Sequence, residues 1–160
     1  MSQELKIEKI SHENFNEFLY LIDKLAEYEK LDPPDHKAKN RLRIDGLHEK
    51  PKYKAYLARI NDKYVGYVIY FMNYSSFLAL PTLYIEDIFL LNEYRKKGIG
   101  QKLFNFCVKK ADENKCGRIE WHVLDWNKLG INFYEKNNAK HLSNWLYYRL
   151  TKDQFDDFLK

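Results

Sequence analysis

The stretch Ile85-Glu-Asp-Ile-Phe-Leu-Leu91, followed by Arg95-Lys-Lys-Gly98-Ile-Gly100, decides the reading of this chain. Its first part is apolar enough for a strand and is interrupted only by the adjacent acids Glu86 and Asp87. Its second part opens an amphipathic run from Ile99 to Ala111, so the whole predicts a strand, a turn of exposed amides and a helix. Glycines at 98 and 100 permit close backbone approach, and the first N–H groups of a helix present the positive end of its dipole. A phosphate or pyrophosphate suits such a turn, while the spacing alone is equally that of a plain solvated cap. The two carboxylates, and Tyr134 in a later segment begun by Asn127, add groups able to converge with an anion site.

Around this centre the chain alternates strand and helix patterns. Leu5, Ile7 and Ile10 predict a first strand, and Phe15, Phe18, Leu19, Ile22, Leu25 and Ala26 recur at helical spacing from a Ser11 cap to Glu29 or Lys30. Pro33-Pro34 stops that helix, and a charged second helix is expected from Asp35 to Asp45, before Gly46. Tyr53 to Ile60 and Tyr64 to Met72 flank Asn61-Asp62 as a hairpin. The helix from Gly98 to Asn114 carries Ile99, Leu103, Cys107 and Ala111 on one stripe, with Gly117 as its expected stop. Beyond it are expected a strand from Arg118 to Leu124, a short helix after Asn127 and strand material from Ala139 to Leu150. A last helix starts at a Thr151-Lys-Asp-Gln154 capping box.

With 160 residues, 45% of them apolar and 16% aromatic, the chain is expected to fold as one domain, residues 1–160. Lys+Arg 27 against Asp+Glu 23 gives +4, with the lysines spread along helices, so nothing demands nucleic acid. No apolar run has bilayer length and the N-terminus lacks a leader's apolar centre, so a cytoplasmic protein without membrane attachment is expected. Cys107 and Cys116 form neither a metal spacing nor a disulfide framework, and His12, His36, His48, His122 and His141 show no metal pattern. No metal is predicted.

The segments Leu25-Ala-Glu-Tyr-Glu-Lys, Tyr84-Ile-Glu-Asp, Tyr94-Arg-Lys-Lys-Gly-Ile-Gly, Leu124-Asp-Trp-Asn and Asn132-Phe-Tyr, in this order and at these distances, span nearly the whole chain. Together they resemble the GNAT acyl-CoA-dependent N-acetyltransferases, and within them the diamine (spermidine/spermine) and thialysine branch. The resemblance implies an α+β fold, a mixed and mostly antiparallel sheet flanked by helices, with its middle strands splayed to admit the pantetheine arm of acetyl-CoA. It implies that the backbone of Ile88, Phe89 and Leu90 pairs with that arm. It implies further that Arg95, Lys96, Lys97, Gly98, Ile99, Gly100 and Gln101 hold the pyrophosphate. Asn127, Lys128, Leu129 and Gly130 would touch the cofactor, Tyr134 would face the thioester sulfur, and Tyr28 and Glu29 would meet the amine. The diamine enzymes are homodimers, which makes Trp145 to Tyr148 a candidate interface.

The chemistry asks for a proton acceptor. An alkyl amine of pKa about 10.4 is neutral in only roughly one molecule in 2,500 at pH 7, and only the neutral form attacks a thioester. Successive strand side chains point to opposite faces, so Glu86 and Asp87 share a cavity only if the strand bulges. Glu86 is expected to act as base through water, and Asp87 to hold a cationic substrate or, alternatively, to be a paired structural charge. A phenol of pKa about 10 protonating a thiolate of about 8.5 works uphill by roughly 2 kcal/mol. Tyr134 is therefore expected to hydrogen-bond the developing sulfur charge and to complete the transfer late, unless it is simply a core tyrosine.

The expected substrate is a small cationic amine. The diamine enzymes carry a short acidic loop before the tryptophan that matches Trp145, whereas here Ser143-Asn144 leads straight into it, which weighs against a long polyamine. Leu124-Asp-Trp-Asn is closer to the thialysine relatives. A lysine or N-terminus on a protein, a non-catalytic acyl-CoA sensor and an RNA-binding module using Lys96, Lys97, Lys102, Lys109 and Lys110 are the alternatives.

Overall fold

The computed structural model describes residues 4–159, and the chain divides into two compact units, Met1–His122 and Val123–Lys160. Met1, Ser2 and Gln3, part of the N-terminal segment read above, lie outside the described residues. In the first unit a five-stranded sheet runs in chain order: β1 (Leu5–Lys9), β2 (Lys54–Ile60), β3 (Lys63–Ser75), β4 (Leu80–Leu90) and β5 (Arg118–Trp121). The first three junctions are antiparallel and β4–β5 is parallel, the mixed sheet expected. Its helices are α1 (Phe15–Glu29), α2 (His36–Leu47) and α3 (Ile99–Glu113).

Strand alternation divides the core. Phe15, Phe18 and Leu21 of α1 pack with Leu57, Tyr67, Ile69 and Phe89 on one side, and Ile99 and Leu103 of α3 pack with Ala58, Ile60, Val65 and Leu90 on the other. The tight β2–β3 turn places Asn61 in the left-handed region, at φ 53, a conformation its short polar side chain tolerates.

Two strand junctions shape the region around Glu86. Ile69 pairs with Asp87 but Tyr70 pairs with Ile85, so Glu86 is the extra residue of a β-bulge in β4. Pairing of β4 with β5 covers only Thr82 to Ile85, so Glu86 to Leu90 have β3 alone as a sheet neighbour among the described residues. The β4–β5 ladder ends there because β5 ends at Trp121.

Several boundaries differ from the sequence reading. Asn14, not Ser11, stands at the N-cap position of α1; its side chain makes no capping bond to the helix and instead accepts from the Ser11 N–H at 2.7 Å and donates to the Lys9 carbonyl, tying the preceding turn. Gly46 lies inside α2 rather than after it. A Cβ there would stand 2.3 Å from the Tyr53 hydroxyl, which itself donates to the Leu42 carbonyl at 2.6 Å, so this glycine makes room for a tyrosine instead of ending the helix. The left-handed residue after α3 is Lys115, and the Gly117 N–H instead donates to the Pro81 carbonyl at the entrance to β5. β5 ends at Trp121, three residues early.

The second unit holds α4 (Lys128–Lys136) and a 3-10 turn, Lys152–Asp157, where a last α-helix was expected. The capping box at Thr151 and Gln154 is present, but six residues give it too little length to propagate as α-helix. Residues 139–150 contain no strand, because a strand exists only where a partner supplies ladder bonds and these residues pair with none. Asn138, just after α4, adopts the left-handed conformation, at φ 59. No described helix is long and apolar enough to cross a membrane.

Candidate active site

The β4 bulge decides which carboxylates meet. Skipping one ladder position lets Glu86 and Asp87 line the same cavity, of about 310 Å³, with Ile22, Leu42, Tyr53, Ile69 and Phe71. Its remaining wall is therefore aliphatic or aromatic, suited to a methylene chain ending in charge. Glu86 is exposed and Asp87 is partly buried. Burial, then the Glu86 charge, push the Asp87 carboxyl up to about 7, against a hydrogen bond from the Tyr67 hydroxyl at 3.2 Å and with Glu29 adding repulsion.

Glu29, at the end of α1, is half-buried and its carboxyl is raised by that burial. It joins the same electrostatic cluster without lining the cavity. Tyr28 lies under the Arg95 guanidinium, 4.5 Å from its ring centroid, and beside Phe89 at 6.5 Å. Glu29 is thus coupled to Asp87 while Tyr28 lies against Arg95 and Phe89, and neither lines the cavity.

The turn after β4 presents backbone. Lys96 and Gly98 are left-handed, at φ 60 and 77, and α3 begins after Gly98, which has no side chain to cap the Ile99 and Gly100 N–H groups, an arrangement suited to an anion. A Cβ at Gly98 or Gly100 would meet nothing within 4 Å, so the turn is open on its outer side. These features fit a pyrophosphate. Arg95 braces the turn: its Nε donates to the Leu90 carbonyl at 2.9 Å. Ile99 is buried and anchors the turn inward, Lys97 lies over the Tyr94 ring, and Gln101 donates to Asn105. The outer backbone edge of Ile88, Phe89 and Leu90 faces away from β3 with no strand beside it among the described residues.

In the second unit, Asn127 caps α4 by accepting from the Gly130 N–H at 3.0 Å, and a Cβ on Gly130 would collide with that same side chain at 2.9 Å. Lys128 donates to the Asp125 carbonyl, and Leu129 is exposed. Tyr134 follows on α4, edge-on to Phe133 at 5.5 Å. The sequence reading missed Tyr67 and the apolar lining. Tyr67, Ile69 and Phe71 share one face of β3 at period two, a signal that becomes usable only once the pairing of β3 with β4 is known. Among the described residues no group of three or more metal-binding side chains occurs.

Residues 15–139 match the acetyltransferase (GNAT) family. The chain belongs to that family. As a GNAT acetyltransferase it is 43% identical over 113 residues to an L-ornithine N5-acetyltransferase of Arabidopsis thaliana, covering 69% of this chain and 50% of that one. It is 35% identical over 133 residues to a thialysine N-epsilon-acetyltransferase of Bos taurus, covering 78% of each. The chain thus spans half the length of the first relative and most of the second. The fold matches an integron cassette protein from V. cholerae with a TM-score of 0.81 at 20% identity, over 98% of both chains. The family membership makes acetyl-CoA the co-substrate, and the open amide turn after β4 is consistent with it.

Proposed function

We propose that the protein moves an acetyl group from acetyl-CoA to the primary amine of a small cationic molecule, of the diamine or thialysine kind, by direct attack. The observation that carries this reading is the bulge that turns Glu86 and Asp87 into one cavity with otherwise apolar walls. Two relatives named for ornithine and thialysine support the substrate class.

In this reading the amides from Lys96 to Gln101, with Arg95 bracing them, hold the pyrophosphate. The free edge of Ile88, Phe89 and Leu90 receives the pantetheine arm, and Asn127 to Gly130 contribute further contacts. Acetyl-CoA supplies the activated acyl carbon. Asp87 pairs with the substrate's ammonium group, supported by the negative charge of Glu29 and by Tyr28 beside it. Glu86, on the exposed side of the bulge, takes the amine's proton through water. The freed nitrogen pair forms the C–N bond as the C–S bond breaks, and Tyr134 hydrogen-bonds the departing sulfur and then protonates it.

The protein acts as a homodimer in this reading, a second copy covering the exposed Trp145, Leu146, Tyr147 and Tyr148. A monomeric mass at assay concentration would contradict that part. The activity itself is tested by thiol release over diamines, spermidine, spermine, ornithine, thialysine, lysine and a lysine-containing peptide. The short cationic amines are expected to react fastest. A protein that turns over only the peptide would be a protein acetyltransferase instead, and one that binds acetyl-CoA without turnover would be a sensor.

A further inference from the structure

Tyr67 is wholly buried on a core face whose other members, Phe18, Leu57, Ile69 and Phe89, are apolar. Its ring sits edge-on to Phe18 at 5.4 Å and near Phe89 at 6.1 Å, and a phenylalanine would make the same ring contacts. A buried hydroxyl in such surroundings is unfavourable unless it finds a partner, and the partner here is Asp87 Oδ2 at 3.2 Å. The hydroxyl is thus explained by the carboxylate and not by the packing.

Resting on the acetyltransferase reading, we propose that Tyr67 is the positioning residue of the amine site. Its hydroxyl fixes one oxygen of Asp87 and leaves the other to receive the substrate's ammonium group. Burial drives the Tyr67 phenol well above its ordinary range, so it stays protonated and serves only as donor. The groups facing Asp87 are Glu86 on its own strand, Glu29 from α1, Tyr67 from β3 and the cavity-lining Tyr53 before β2, while Leu42 is the lining residue from α2. Burial and the two glutamates favour the protonated acid, and the Tyr67 bond opposes them. A protonated Asp87 has no charge to offer an ammonium ion, so amine capture fails as pH falls below the carboxyl's pKa. Removing the Tyr67 hydroxyl raises that pKa.

The test is the pH dependence of amine KM and kcat for wild type, Tyr67→Phe and Asp87→Asn at saturating acetyl-CoA. In Tyr67→Phe the acidic limb of kcat/KM moves to higher pH by about one unit, carried by KM, while kcat on the plateau changes less than about twofold. A tyrosine that matters for packing alone would lower the melting temperature and leave the limb in place, which would overturn the proposal. Should Tyr67→Phe fail to fold, Asp87→Asn decides. Its amide still accepts the Tyr67 bond but does not titrate, so the acidic rise of amine KM disappears and KM is high throughout, any limb left in kcat belonging to the proton acceptor; an acidic rise of amine KM that persists overturns the proposal. A wild type inactive on every amine would instead remove the acetyltransferase reading, and this inference with it.

Discussion

The amide turn from Arg95 to Gln101 and the carboxylate cavity at Glu86 and Asp87 are separated by a few residues of β4 and the turn after it, and they expose opposite kinds of group. The turn offers main-chain N–H groups on an open surface, with Lys96 and Gly98 in left-handed conformations. The cavity offers side-chain charge in partly buried surroundings, where a single atom change alters both charge and solvation. One strand thus leads into a turn defined by backbone and carries a cavity defined by side chains.

Substitutions sharpen that contrast. Glu86→Gln is expected to lower kcat by about 100-fold with acetyl-CoA KM unchanged, the scale of a lost general base, in steady-state thiol release. An unchanged kcat would move the proton to another acceptor. Tyr134→Phe is expected to reduce turnover by about tenfold while acetyl-CoA affinity, read by calorimetry, scarcely moves. If turnover holds, Tyr134 leaves the mechanism. Gly98→Ala adds a Cβ that meets nothing but must take φ 77, so it strains the backbone alone. A penalty of about 1 kcal/mol gives roughly a fivefold rise in acetyl-CoA KM with no effect on amine KM. A rise in amine KM instead would break the division between turn and cavity.

The two regions also differed in how far the sequence disclosed them. The turn was legible because glycine spacing after an apolar strand and before an amphipathic helix is a local pattern, and Gly98 and α3 stand where it placed them. The cavity was legible only in part. Adjacent acids normally diverge, and the bulge that unites Glu86 with Asp87 depends on the register of β4 against β3, which no local pattern reports. For the same reason no local pattern singled out Tyr67, and Gly46 read as a helix stop although Tyr53 packs against it. Residues 139–150 have strand-forming composition but no pairing partner among the described residues, so propensity alone misled there.

The central claim is that Asp87 receives the amine in a cavity independent of the amide turn. It is tested most directly by kcat/KM for a short diamine in Asp87→Asn against wild type, with acetyl-CoA KM measured on the same samples. The predicted result is a fall of about 100-fold for the diamine, the scale of removing one partner from a partly buried charge pair, and an unchanged acetyl-CoA KM. A diamine kcat/KM that stays within about threefold of wild type would contradict it.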